Sequence, residues 1–197
     1  LQPIKRFDFD AAIIFSDILM LPFGIGQTVQ FKKNFGPSLG ILELDKLQKV
    51  TNNDFSENLL PVYKLLSNLK NNKDLENRDL IGFVGAPWTL LVYMINKVSP
   101  KKGLSKEFFK DKILINETLD LLDKFIKIHI ENQIKAGVSI IQIFDSWAGL
   151  VPENNLEDLI YKPNKELVKF TQSRKTPCIC FPRNIKNYFE FTKFVKP

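Results

Sequence analysis

Four short apolar runs, each separated from the next by room for at least one helix, constrain this 197-residue chain more than any other feature. They are residues 11–15 (AAIIF), 80–84 (LIGFV), 138–144 (VSIIQIF) and 177–181 (PCICF). A strand with one wet face alternates apolar and polar residues. A nearly unbroken apolar run fits a strand covered on both faces, as a parallel sheet requires. Helical periodicity fills the gaps. Residues 54–69 put Phe55, Leu59, Val62, Tyr63 and Leu66 mostly on one face. Residues 105–136 form a long amphipathic stretch, with Ser105 as N-cap and Gly137 as the C-terminal stop. Residues 156–173 are helical but kinked or split by Pro163, and 185–195 form a fourth helix. This alternation predicts an α/β fold with a parallel sheet.

Two such folds compete. An open dinucleotide-binding sheet needs a Gly-rich fingerprint after a strand. The segment Gly24-Ile25-Gly26 lacks the third glycine and opens no convincing helix. The (β/α)₈ barrel is the better choice, but a whole one takes about 250 residues. The expectation is therefore a partial TIM barrel of about four βα units, residues 1–197 forming one domain.

Composition removes several function classes. With 44% hydrophobic and 25% charged residues the chain is neither a disordered tail nor a disulfide miniprotein. No apolar run reaches 18 residues, so no transmembrane helix is expected. The first ten residues, with Lys5, Arg6, Asp8 and Asp10, do not read as a secretory signal. Cys178 and Cys180, two apart on one strand, are poorly placed for a disulfide and read as reduced, buried thiols in a cytoplasmic setting. The net charge of +6 comes from 24 Lys against 4 Arg, scattered along the chain. Nucleic-acid binders gather basic residues in a stripe and favour Arg, so no nucleic-acid partner is expected, whereas an anionic small molecule fits the charge.

Barrel chemistry sits where strands end. Those ends read Ser16-Asp17-Ile18-Leu19, Gly85-Ala86-Pro87-Trp88-Thr89-Leu90 with Tyr93 a turn later, Asp145-Ser146-Trp147-Ala148-Gly149, and Pro182-Arg183-Asn184. Period-2 alternation aligns Asp17 with Ile13 and Phe15, giving a partly desolvated carboxylate that needs donors or a cation. Read alone, each candidate also has a structural explanation. Asp17 could cap the next helix, Tyr93 could be a core tyrosine, and Ser146 a helix cap. Asp145 with Ser146 could satisfy loop backbone, and Arg183 could be a surface charge. The single histidine, His129, lies mid-helix and reads as structural. No cluster completes a zinc site, and no Ser-His-Asp order or phosphate loop is visible.

Together, RFDFDAAIIFSDIL (6–19), FGPSL (35–39), LIGFVGAPWTLLVYM (80–94) and AGVSIIQIFDSWAG (136–149) resemble the uroporphyrinogen decarboxylase family. That resemblance implies a (β/α)₈ barrel, a homodimer, and a cytoplasmic enzyme without metal or cofactor. The implied activity removes CO₂ from the four acetate side chains of uroporphyrinogen III. It matches the family's essential aspartate to Asp17, its substrate-contacting tyrosine to Tyr93 and its strand-end hydroxyl to Ser146. Ile13, Phe15 and Phe144 become apolar wall, or equally barrel core. The family also has an arginine-rich segment ahead of the position of Leu1 and a histidine near its end, neither present here. The chain is accordingly expected to be a fragment, inactive by itself. Two other readings remain: a zinc- or corrinoid-dependent methyltransferase of the same superfamily, and a truncated, non-catalytic binding subunit.

Overall fold

All four apolar runs enter one parallel sheet. A computed structural model of the chain describes residues 1–14, 16–32, 36–100 and 103–197. Strands β1 (Ala11–Ile13), β4 (Asp79–Gly85), β5 (Ile140–Asp145) and β6 (Cys178–Pro182) lie in that order, every pair parallel. The register pairs Ala11 with Asp79, Ile81 with Ile140 and Ile141 with Cys178. A separate antiparallel hairpin, β2 (Val29–Lys32) and β3 (Gly36–Leu39), follows the first strand–helix unit.

The helices are α1 (Gln2–Phe7), α2 (Met20–Gly24), α3 (Leu44–Leu47), α4 (Asn52–Asn58), α5 (Leu60–Lys70), α6 (Pro87–Asn96), α7 (Lys112–Lys135), α8 (Lys162–Ser173) and α9 (Tyr188–Val195). Local chemistry sets their ends. Thr51 and Asp54 form a reciprocal capping box at the start of α4. The helix expected over 54–69 is two helices, because Pro61 has no N–H to continue the ladder and instead opens α5. Asp111, not Ser105, caps α7, its Oδ1 accepting from Leu114 N at 2.9 Å; Ser105 heads a 3₁₀ turn over Lys106–Phe109. Gly137 ends α7 as expected, at φ +107°. Pro163 is accommodated by a π turn, Glu157–Tyr161, leading directly into α8.

The sheet's two faces differ. Leu80, Val84, Ile141 and Ile143 are buried on the helix side. There Gly82 lets α7 approach: a Cβ on it would stand 2.5 Å from Gln133 Oε1. On the opposite face Phe83, Phe144 and Phe181 make an aromatic row across three strands, with ring centroids 5.6 and 6.3 Å apart. Ile13, Ile179 and Phe181 on that face are 43–46% exposed. Four parallel strands with helices on one side and a half-open apolar face on the other make half of a (β/α)₈ barrel. No helix among the described residues is long and apolar enough to cross a membrane.

Candidate active site

A cavity of about 190 Å³ opens at the C-terminal ends of the strands, lined by Asp17, Ile18, Phe83, Phe144 and Ser146. Larger clefts occur elsewhere, such as one of about 450 Å³ between helices beside Tyr63, Asn132 and Lys135, but none of the strand-end candidates Asp17, Tyr93, Ser146 and Phe144 lines that one. The walls of the smaller cavity come from three strand ends: the turn after β1, Phe83 of β4, and Phe144 of β5 with Ser146 just beyond it.

Asp17 does not reach this cavity through strand alternation. β1 ends at Ile13, and Asp17 lies in the following turn with φ +85°, a conformation that few non-glycine residues adopt. Its Oδ1 accepts from Leu19 N at 2.8 Å, and its carbonyl accepts from Met20 N at 3.2 Å. The carboxylate thus braces the turn ahead of α2 without capping the helix, whose N-cap is Leu19 with no side-chain cap, and is half-buried at the cavity wall. Burial raises its pKa above the usual carboxylate value, and the Leu19 N–H draws it partly back. Gly85 makes room for this turn. A Cβ there would lie 3.3 Å from Ile18 Cβ and 2.7 Å from Leu90 Cδ2.

Of the other candidates, Phe144 and Ser146 share the cavity with Asp17. Tyr93 does not line it. Its ring meets Trp147 edge-on at 5.9 Å, and its hydroxyl accepts a long 3.4 Å contact from Ser99 Oγ. Ile13 lines a different, apolar cleft of about 380 Å³ with Ile4, Phe9 and Leu65. Phe15 lies outside the described residues. Arg183 is exposed, and its backbone, not its guanidinium, joins the strand ends: Arg183 N donates to Asp145 O and Gly149 N to Arg183 O, both at 3.0 Å. Ile18 and Phe83 are wall residues the sequence reading did not single out. Phe83 shares strand parity with Gly85, a signal that could have revealed it.

Asp145 is turned away from the cavity, onto the helix side. Its Oδ1 accepts from Thr89 Oγ1 at 2.8 Å and its Oδ2 from Asn164 Nδ2 at 3.0 Å. It therefore binds side chains of two helices instead of satisfying loop backbone. Burial pushes its pKa up to about 6 against these two donors. His129 is buried with Nδ1 2.9 Å from Tyr63 Oη, and burial lowers its pKa to about 4, the behaviour of a neutral structural imidazole. Cys178 and Cys180 are free thiols. Among the described residues no three His, Cys, Asp or Glu side chains gather as a metal site would require.

The sequence profile of the family described as "Uroporphyrinogen decarboxylase" matches residues 1–193. The chain belongs to that family. Proteins named uroporphyrinogen decarboxylase from Rickettsia bellii and Orientia tsutsugamushi are each 40% identical, over 96% and 98% of this chain. One from Rickettsia massiliae is 39% identical over all of it. The chain spans 57% of the length of each of these relatives. Among solved structures, a methyltransferase from Methanosarcina mazei superposes with a TM-score of 0.61 at 15% identity, covering 90% of this chain and 52% of that one. At that identity the likeness is one of fold.

Proposed function

We propose that this chain carries the catalytic aspartate of a uroporphyrinogen decarboxylase, which converts the four acetates of uroporphyrinogen III to methyls and yields coproporphyrinogen III without metal or cofactor. Residues 1–197 act in it as a single domain. Four more βα units, for which the relatives' greater length leaves room, close the barrel over the exposed apolar face. The assembly is a cytoplasmic homodimer.

The observation that carries this reading is the half-buried Asp17 carboxylate at a cavity walled by Phe83 and Phe144, at the strand ends of a chain in this family. The chemistry needs such a group. A proton adds to the ring carbon next to the one bearing the acetate, leaving positive charge that the acetate-bearing carbon shares. The C–C bond electrons neutralise that charge as CO₂ leaves. The exocyclic carbon then takes a proton to become methyl, and the ring proton departs, so each CO₂ costs one proton net. A domed porphyrinogen turns its four N–H groups inward, where one carboxylate can accept from them and offset the developing charge. Aromatic walls exclude the water that would otherwise screen that interaction. Ser146 offers a hydroxyl beside the ring, and Tyr93 acts through its packing on Trp147, the residue after Ser146. A cavity of about 190 Å³ is below the roughly 300–1,000 Å³ typical of pockets for larger ligands, so the barrel's remaining half must supply further wall.

Incubation with uroporphyrinogen III, and separation of the products by carboxylate number, tests this. Asp17-dependent appearance of the four-carboxylate product supports it. Binding of the porphyrinogen without CO₂ release would replace it with the binding-subunit reading. Methyl transfer has only the fold likeness behind it.

A further inference from the structure

Thr89, Asp145 and Asn164 form a cluster, 0–1% exposed, that the proposed chemistry does not use. Asp145 is held by Thr89 Oγ1 and Asn164 Nδ2, and Asn164 Nδ2 also donates to Ile160 O, in the π turn, at 2.8 Å. The Thr89 hydroxyl gives its proton to Asp145 and accepts from Trp147 N at 3.0 Å. Trp147 O accepts from Trp88 Nε1 at 3.0 Å. Ser146, between Asp145 and Trp147, is thus fixed on both sides by one hydroxyl, and its own side chain is left facing the cavity. The carboxylate's hydrogen-bond partners are neutral. Buried ionic groups are weak sources of stability, and apolar replacements of similar volume often match them. What this cluster supplies is geometry.

We propose that Thr89 and Asp145 are positioning residues that hold Ser146, through the Trp147 amide beside it, in register with Asp17; the kinetic part of this rests on the decarboxylase reading above. Thr89 touches no substrate. It acts through the Asp145 side chain on one side of Ser146 and the Trp147 amide on the other, where a displacement of about 1 Å can cost up to a hundredfold in rate.

Thr89→Val keeps the shape and deletes the hydroxyl, whereas Thr89→Ser keeps the hydroxyl. In the complete enzyme, Thr89→Val is expected to lower kcat about tenfold or more with KM within about twofold, and Thr89→Ser to restore kcat to within about twofold. Should the valine variant not fold, Thr89→Ala leaves space for a water and carries the same kinetic expectation. A folded valine or alanine variant with a lower Tm but wild-type kcat overturns the proposal, because a purely structural contact would behave that way. Hydrogen exchange at the Trp147 amide reads the hold without any activity. Exchange at least about tenfold faster in Thr89→Val than in wild type and Thr89→Ser supports the proposal, and equal exchange overturns it. If the wild-type enzyme releases no CO₂, the functional reading fails, while this exchange measurement still decides whether Thr89 holds the turn.

Discussion

Asp17 and Asp145 each stand where a strand of the same sheet gives way to its loop, yet the fold uses them in opposite ways. Asp145 is buried on the helix side and receives a donor at each oxygen. Asp17, half-buried at the cavity, receives a single N–H, from Leu19, among the described residues. An ionised carboxylate has about four acceptor sites. Asp145 has both oxygens engaged inside the protein, whereas Asp17 has a donor on one oxygen alone among the described residues and turns to the cavity, as a residue receiving a ligand's N–H groups would. Burial raises the pKa of both, so a raised pKa does not tell the cavity-lining acid from the one on the helix side. The difference lies in whether both oxygens have donors.

The largest expected effect tests that contrast directly. Asp17→Asn keeps the size and one acceptor oxygen but removes the charge. In the complete enzyme kcat should fall by about 10²–10³-fold, the range seen when a preorganised electrostatic contact is lost, while Tm shifts little. Steady-state kinetics and thermal melting on the same preparation check both. A rise in KM equal to the fall in kcat/KM would assign Asp17 to binding alone.

Asp145 should show itself in stability. Its folded-state pKa, pushed up to about 6, lies above the ordinary 3.8. Between those values the folded state binds more protons than the unfolded state, so stability falls as pH rises through that window and levels off above about 6. The drop is on the order of 3 kcal/mol. Asp145→Asn cannot ionise and should flatten the stability curve between about pH 4 and 6. Urea titrations across that range measure the difference in slope, and parallel curves for the two proteins would show that Asp145 titrates normally.

A third test concerns the joint between the loops after β5 and β6. A Cβ on Gly149 would stand 2.6 Å from Asn184 O, and because this is backbone a flexible side chain cannot simply swing aside. Gly149→Ala should cost about 1–3 kcal/mol, the usual range for overpacking. It should also break the Gly149 N to Arg183 O bond, which equilibrium unfolding and a structure of the variant would detect.

The parts of this molecule legible in the sequence are those with a strong period or a forbidden backbone group. The four strands announced themselves by apolar runs longer than a one-sided strand allows, and Gly137 and Pro163 marked real boundaries. Helix α6 was not recognised as an element, because residues 87–92 and 94 are all buried and an apolar surface all round leaves no amphipathic stripe to count. The β2–β3 hairpin was missed for a related reason: it stands apart from the main sheet and carries no long apolar run. The Asp17 assignment reached the cavity by a mistaken route. Counting alternate residues from Ile13 assumes the strand continues, whereas the chain turns through a positive φ first. Asp145 was legible only as a polar residue after a strand. The face it uses depends on Thr89 and Asn164, which are 56 and 19 residues away in sequence.

Tyr93 gives the smallest effect and the finest discrimination. Among the described residues its hydroxyl has only the 3.4 Å contact with Ser99, too long to contribute much to folding. Tyr93→Phe should therefore leave Tm within about 1–2 °C, since surface-type changes stay within about 0.5 kcal/mol. The edge-on packing against Trp147 is retained in phenylalanine, so Trp147, next to Ser146, should not move. A hydroxyl that turns to the substrate once the barrel is complete would cost one neutral hydrogen bond when removed, about 1 kcal/mol, or roughly a fivefold loss in kcat/KM. If Tyr93→Phe is kinetically silent, Tyr93 serves only as the ring that backs Trp147, and Trp147→Ala should then be the more damaging change of the two. A loss as large as that for Asp17→Asn would instead make the hydroxyl a participant in proton transfer, a role for a residue that lines the cavity, which Tyr93 does not.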